Sequence, residues 1–186
     1  DISISSSINI ACYGDSTGSI NTATVSGAPP YNWSWSSGQS DPNINSLDTG
    51  NYIVTVTDNN QCTNTDSIIL SQQPLLEATF STTITTCYQG NDGTATAIPS
   101  GGTPFPGGIY SYLWDDLSGQ ITQTATGLSP GTYTCIITDQ YSCDTVIEVN
   151  ILEPPQITNT IYRFICNEDS ISINGINYYT FGIYTQ

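Results

Sequence analysis

The stretch GNYIVTVTDNNQC at residues 50–62 returns as GTYTCIITDQYSC at residues 131–143, 81 residues later. A chain that carries one pattern twice folds one unit twice, so this internal repeat constrains the architecture before composition does. Working outward at the same offset of 81, Leu47 matches Leu128, Tyr52 matches Tyr133, Asp58 matches Asp139, Cys62 matches Cys143 and Pro74 matches Pro155. Trp35 matches Trp114 at an offset of 79, while Cys12 with Cys87, Gly18 with Gly93 and Gly27 with Gly102 match at 75. The drift places four inserted residues in TPFPGGIY and two between Trp114 and Leu128. Insertions belong in exposed loops, so both segments are expected at the surface.

Within each copy the period is two. Tyr52, Val54 and Val56 alternate with Ile53, Thr55 and Thr57; Tyr31, Trp33 and Trp35 lie on one face, as do Tyr110, Tyr112 and Trp114. Thr, Val, Ile and Tyr dominate, with Gly, Pro, Asn and Asp as punctuation, which is the signature of short strands. The expected fold is all-β: tandem immunoglobulin-like β-sandwiches at residues 1–74 and 75–155, then part of a third β module at 156–186. In such domains a Tyr near the start of the sixth strand sits two residues before a core position. Tyr52 precedes Val54 and Tyr133 precedes Cys135, so Cys135 is read as a small buried hydrophobe in the place of Val54, unpaired.

Composition narrows function. The chain has one cation, Arg163, no Lys and no His against 16 acids, for a net charge of −15. Nucleic-acid backbones and anionic membrane surfaces are thereby excluded as partners. Without His there is no Ser-His-Asp triad, Cys-His pair or His-ligated metal, and without Lys no Schiff base. No cofactor is implied. No apolar run approaches the ~20 residues of a spanning helix, so no membrane insertion is expected. Beginning at Asp1 without Met or leader, the chain is read as a mature product or a fragment.

These residues resemble the SprB repeat family of gliding-motility adhesins. Its pattern of Cys, Gly-containing turn, GGxxPYxYxW, LxxGxYxVxVxDxxxC and QP is met by Cys12, Gly18, Gly27, Pro30, Tyr31, Trp35, Leu47, Gly50, Tyr52, Val54, Val56, Asp58, Cys62, Gln73 and Pro74. The second copy meets it at Cys87, Gly93, Gly101, Gly102, Pro104, Tyr110, Trp114, Leu128, Gly131, Tyr133, Ile137, Asp139, Cys143 and Pro155, departing at Cys135 and in its long loop. The tail, with Cys166, Asn174, Gly175, Gly182, Tyr184 and Thr185, resembles a different module of the same secreted proteins. The resemblance implies a large, multi-repeat, extracellular cell-surface protein exported by the type IX secretion system.

In an exported protein six cysteines suggest disulfides. Repeat equivalence pairs Cys12 with Cys62 and Cys87 with Cys143, and leaves Cys135 and Cys166 unpaired. A four-thiolate metal site lacks any C-x2-C spacing and is set aside. Trp33, Trp35 and Trp114 are either core or a sugar-binding platform, and their spacing on one face favours core. Asp15, Asp58, Asp92 and Asp139 are turn residues that are also candidate Ca²⁺ ligands; with no dense D-x-D-x-D loop, turn formation is preferred. Asp115 and Asp116 point to opposite faces of a strand and make a poor acid/base pair. Asp-Ser/Thr steps at Ser16, Ser67, Thr145 and Ser170 resemble the O-glycosylation signal of the same bacterial group; the sequon at Asn32 lies in a core strand.

The expected function is non-enzymatic: a structural and adhesive repeat segment of a filamentous cell-surface adhesin, in gliding motility or attachment. Proline-bearing linkers near Pro74 and at Pro154 and Pro155 limit bending between units. The expected partners are an external surface or polysaccharide met by other parts of the protein, the motility or secretion machinery, and further copies in a filament. The alternative is a pair of carbohydrate-binding modules of a secreted enzyme, marked by exposed coplanar Trp rings. A glycosidase needs only two facing acids and stays open on composition alone.

Overall fold

A computed structural model describes residues 2–24, 26–158, 160–161, 171–173, 176–178 and 184–185. The first unit contains β1 (Ile2–Ile8), β2 (Gly18–Thr24), β3 (Asn32–Trp35), β4 (Asn43–Leu47), β5 (Gly50–Thr57) and β6 (Thr63–Leu70). The second contains β7 (Glu77–Thr83), β8 (Gly93–Ser100), β9 (Ser111–Trp114), β10 (Thr124–Leu128), β11 (Gly131–Thr138) and β12 (Asp144–Ile151). Each unit makes two three-stranded antiparallel sheets, ordered β1-β2-β4 and β3-β5-β6 in the first, β7-β8-β10 and β9-β11-β12 in the second. This is the A-B-E and C-F-G arrangement of an immunoglobulin-like sandwich. The second-copy insertions lie between β8 and β9, where Phe105 bridges Ile109, and between β9 and β10.

The period of two fixes which side chains turn inward. In β5 Val54 and Val56 are buried, and across the ladder Val54 faces buried Trp35. In β11 Cys135 and Ile137 take those places, with Cys135 opposite buried Trp114. Ile20 and Ile44 close the first core from the other sheet; Ala95 and Ala125 hold the equivalent positions in the second. Full burial of each large aliphatic side chain contributes roughly 1.5–3 kcal/mol. The tyrosine corner is present twice: the Tyr52 hydroxyl donates to the Asp48 carbonyl at 3.0 Å, and Tyr133 donates to Ser129 at 3.1 Å.

At one end of each sandwich the two sheets approach closely, and a glycine permits it. A Cβ at Gly93 would lie 2.6 Å from Ile151 Cγ2 and 2.9 Å from the Leu128 carbonyl; Gly18 meets Leu70 and the Leu47 carbonyl at 2.8 Å. Beyond the second unit, β13 (Thr160–Ile161) pairs with β16 (Tyr184–Thr185), and β14 (Ile171–Ile173) pairs with β15 (Ile176–Tyr178). Among the described residues these strands pair only with one another. Cys166 and Ser170 lie outside the described residues.

Gly93→Ala should destabilise the protein by about 1–3 kcal/mol, as overpacking does, whereas Cys135→Val should cost less than about 1.5 kcal/mol. Urea midpoints at constant slope check both. Loss of folding in Cys135→Val would mean that the thiol has a covalent partner.

Candidate functional site

Each sandwich has two distinct ends, and strand direction assigns the loops to them. β1 runs toward one end, the lower, where it hands over to the Cys12 loop and β2 begins at Gly18. β4 ends and β5 begins there too, since Gly18 pairs with Leu47 and Gly50 with Leu70. The turn from β5 to β6, which carries Cys62, lies at the upper end. β5 has eight residues, which at ~3.3 Å per residue separates the two loops by about 25 Å. A disulfide needs its Cα atoms within roughly 4.4–6.8 Å.

That separation overturns the repeat-based pairing. Cys12 is not bonded to Cys62, nor Cys87 to Cys143; the bond observed joins Cys12 of the first unit to Cys143 of the second, with Cα atoms 5.5 Å apart. The lower end of one sandwich is thereby bonded to the upper end of the next. Cys62 and Cys87 are free and exposed, and Cys135 is free and buried. Burial pushes the Cys135 thiol up to about 11, so it carries almost no thiolate near neutrality.

The linker completes the junction. At the lower end of the first unit the Ile10 N–H donates to the Ser71 carbonyl at 3.0 Å, and the Gly14 N–H to Gln72 Oε1 at 2.8 Å. At the upper end of the second, the Gly102 N–H donates to the Pro74 carbonyl at 3.1 Å and the Thr103 hydroxyl to Gln73 Oε1 at 2.8 Å. Gly101 and Gly102 have φ of 72° and 58°, and a Cβ on Gly101 would fall 1.9 Å from the Leu75 carbonyl, so glycine is required against this linker. Leu76, 6 % exposed, packs over Gly102.

The turn-forming reading of Asp58 and Asp139 holds in atomic detail. Asp58 accepts the Asn60 and Cys62 N–H groups on Oδ1, both at 2.9 Å, and the Ala28 N–H on Oδ2 at 3.1 Å. Asp139 accepts Tyr141 and Cys143 on Oδ1 and Thr103 on Oδ2 at 2.9, 3.0 and 2.8 Å. The carboxylate thus positions the cysteine two residues past the turn and ties it to the loop after the second strand. The backbone N–H groups of Ala28 and then Cys62 hold the Asp58 carboxyl below its usual range. Asp92 is held low by the Thr86 hydroxyl and backbone. Asp115 accepts the Thr134 N–H and hydroxyl, both at 2.8 Å, while Asp116 organises the next turn by accepting the Ser118 and Gln120 N–H groups at 3.1 and 2.9 Å. Among the described residues no group of three or more His, Cys, Asp or Glu is arranged to hold a metal.

The tryptophans lie in or against the cores. Trp35 and Trp114 are buried, with Nε1 donating to the Asp41 and Thr122 carbonyls at 2.9 and 3.0 Å. Trp33 packs against the first core, edge to face with Tyr31 at 5.8 Å, and its Nε1 has no hydrogen-bond partner among the described residues. Buried Trp35 and Trp114 leave no coplanar exposed platform of the three rings. Of the candidate O-glycosylation residues, Ser16 and Ser67 are exposed and Thr145 is half-buried; the Ser16 hydroxyl donates to Asp48.

The upper end of the first unit is open among the described residues. A cavity of about 360 Å³ is lined there by Ile2, Gly27, Tyr31, Val56, Asp58 and Cys62, among others. Sequence reasoning could have found the ends of the sandwich from strand direction; it had no signal for this cavity.

The SprB repeat family matches residues 4–40 and 79–119, one segment in each sandwich. No curated protein matches the chain. Among solved structures, the two immunoglobulin domains of DIP-gamma are 13 % identical, covering 84 % of this chain and 99 % of that one, with a TM-score of 0.35. The N-terminal eight immunoglobulin domains of Down Syndrome Cell Adhesion Molecule are 15 % identical over 81 % of this chain and 25 % of that one, TM-score 0.36. Murine CEACAM1b is 13 % identical over 83 % of this chain and 100 % of that one, TM-score 0.34.

Non-reducing peptide mapping should recover Cys12 joined to Cys143, and iodoacetamide at pH 8 should label Cys62 and Cys87 but reach Cys135 only after unfolding. Recovery of Cys12 joined to Cys62 would refute the junction. Acid should weaken the fold through Asp58: its folded pKa lies below 3.8, so its contribution is present above that pH and is lost as pH falls through the folded value. Asp58→Asn should therefore lower the melting temperature at pH 7 more than at pH 2.5; an equal drop at both would assign the effect to packing.

Proposed function

We propose that this chain is a non-catalytic structural segment of a large filamentous cell-surface adhesin, composed of repeats at residues 1–74 and 75–155 and the start of a further module. It serves attachment or gliding motility, and type IX secretion brings it to the cell exterior. The observation that carries this reading is the junction. Cys12, Cys143 and the pinned linker make two sandwiches into one jointed strut, which suits a spacer. The two SprB repeat segments support a surface role, and the disulfide suits an oxidising exterior. With one cation in 186 residues, the chain has little means of holding polyanions; adhesion to a surface or polysaccharide is assigned to other parts of the protein. Exposed Ser16 and Ser67 are the favoured sites for O-linked sugar.

Gold-labelled antibody against this chain should decorate extended material outside intact producing cells, and its Fab fragments should slow attachment or gliding. Peptides containing Ser16 or Ser67 from that material should carry added hexose mass. Label confined to the cell interior, or hydrolysis of polysaccharide by the purified chain, would overturn the reading.

A further inference from the structure

The two exposed thiols are the two halves of a bond already present once. Cys62 is the repeat equivalent of Cys143, and Cys87 the equivalent of Cys12. Cys12 and Cys143 are joined; Cys62 and Cys87 are free. Cys62 marks the upper end of the first sandwich and Cys87 the lower end of the second, so each sits where another unit would dock. We infer that the upper end of the first sandwich is a docking face for the lower end of a second copy of this repeat pair, sealed by a disulfide from Cys62 of one copy to Cys87 of the other.

The surroundings of the two thiols bear this out position by position. Asp139, at the occupied upper end, is 1 % exposed; Asp58, with the same three backbone bonds at the open upper end, is only half-buried. Leu76 covers Gly102 at the occupied end, whereas the equivalent Gly27 borders the 360 Å³ cavity beside Cys62. The lower end of the second unit is prepared as the first one's is. The Thr85 N–H donates to the Leu152 carbonyl at 3.0 Å, as Ile10 does to Ser71, and Gln89 donates to Glu153 as Gly14 does to Gln72. The linker side chain beyond it, Ile157, is 87 % exposed, although its counterpart Leu76 is 6 % exposed. A buried aliphatic group in one linker and a bare one in the other, matched by a filled upper end and an open one, describe one interface that is made once and offered twice. The contact is heterologous, so it joins copies head to tail.

The bond forms by thiol–disulfide exchange with a small-molecule disulfide such as oxidised glutathione. One cysteine thiolate attacks a glutathione sulfur and expels glutathione thiolate; the second cysteine thiolate then attacks the protein sulfur of that mixed disulfide and expels another. Both cysteine protons pass to water or glutathione, and the two electrons reside on the two reduced glutathiones.

The inference rests on the chain being a stretch of a repeat array, and not on that array being adhesive. Two variants of the 186-residue chain in a Cys166→Ser background separate the ends: Cys62→Ser keeps only the Cys87 end, and Cys87→Ser keeps only the Cys62 end. Both replaced thiols are exposed, and circular dichroism checks that each variant folds. They are mixed with oxidised glutathione at ~0.15 M salt, where the Debye length of about 8 Å screens like charges. Cross-linked peptides from the mixture should show Cys62 joined to Cys87 in more than tenfold excess over Cys62 to Cys62 and Cys87 to Cys87. Random collision of two exposed thiols gives the three links in statistical proportion; that result, or no dimer, would overturn the proposal. Surface labelling of cells without this linkage sinks the docking face alone, and the linkage without surface labelling sinks the adhesin reading alone.

Discussion

The length of one strand governs the chemistry of this chain. Eight residues of β5, and eight of β11, hold the two cysteine-bearing loops of each sandwich at opposite ends. At ~3.3 Å per residue no side-chain adjustment closes that gap. The two loop cysteines of one unit therefore cannot bond to each other, and Cys12 and Cys143 connect one unit to the other instead. The placement of each loop, whether by the Gly18 and Gly93 close approaches at the lower end or by Asp58 and Asp139 at the upper, determines how well the two units meet. Stability within a sandwich comes instead from the Trp35–Val54 and Trp114–Cys135 pairs and the aliphatic groups around them.

Several acids of this chain act as hydrogen-bond acceptors for its own backbone. Asp58, Asp92, Asp115, Asp116 and Asp139 each accept at least one backbone N–H, and Asp66 accepts the Ile4 N–H at 2.8 Å, tying β6 to β1. A net charge of −15 with a single cation offers little ion pairing. Hydrogen bonds to a carboxylate are stronger than neutral ones and do not need a cationic side chain to form.

Much of this was legible in the sequence, and for physical reasons. The period of two in residues 50–57 dictates an amphipathic strand, and Tyr52 and Tyr133 locate its start, because a corner tyrosine must reach back to a carbonyl four residues earlier. Val54 and Cys135 announced the core by matching across the repeat. The cysteine pairing was misread because repeat equivalence says which residues correspond, and not which end of the unit they occupy. Direction along the strands carries that information: a cysteine ten residues past the corner tyrosine has crossed the sandwich. The contact of Gly101 with the Leu75 carbonyl was beyond reach because it depends on how one unit sits against the other, and the cavity near Cys62 because it depends on how the loops of the first unit pack.

The bond between Cys12 and Cys143 also sets how far the chain can stretch. It spans 131 residues of sequence. Under tension the covalent path passes from Cys12 across the sulfurs to Cys143, so the segment between them bears no extension even if both sandwiches melt. At ~3.4 Å per residue, roughly 450 Å of contour length is withheld from any pull on the two termini. Only the first strand, the last strand and the segment beyond it can pay out. Unfolding can therefore release only the residues before Cys12 and after Cys143, and the length between them is given up only when the sulfur–sulfur bond breaks.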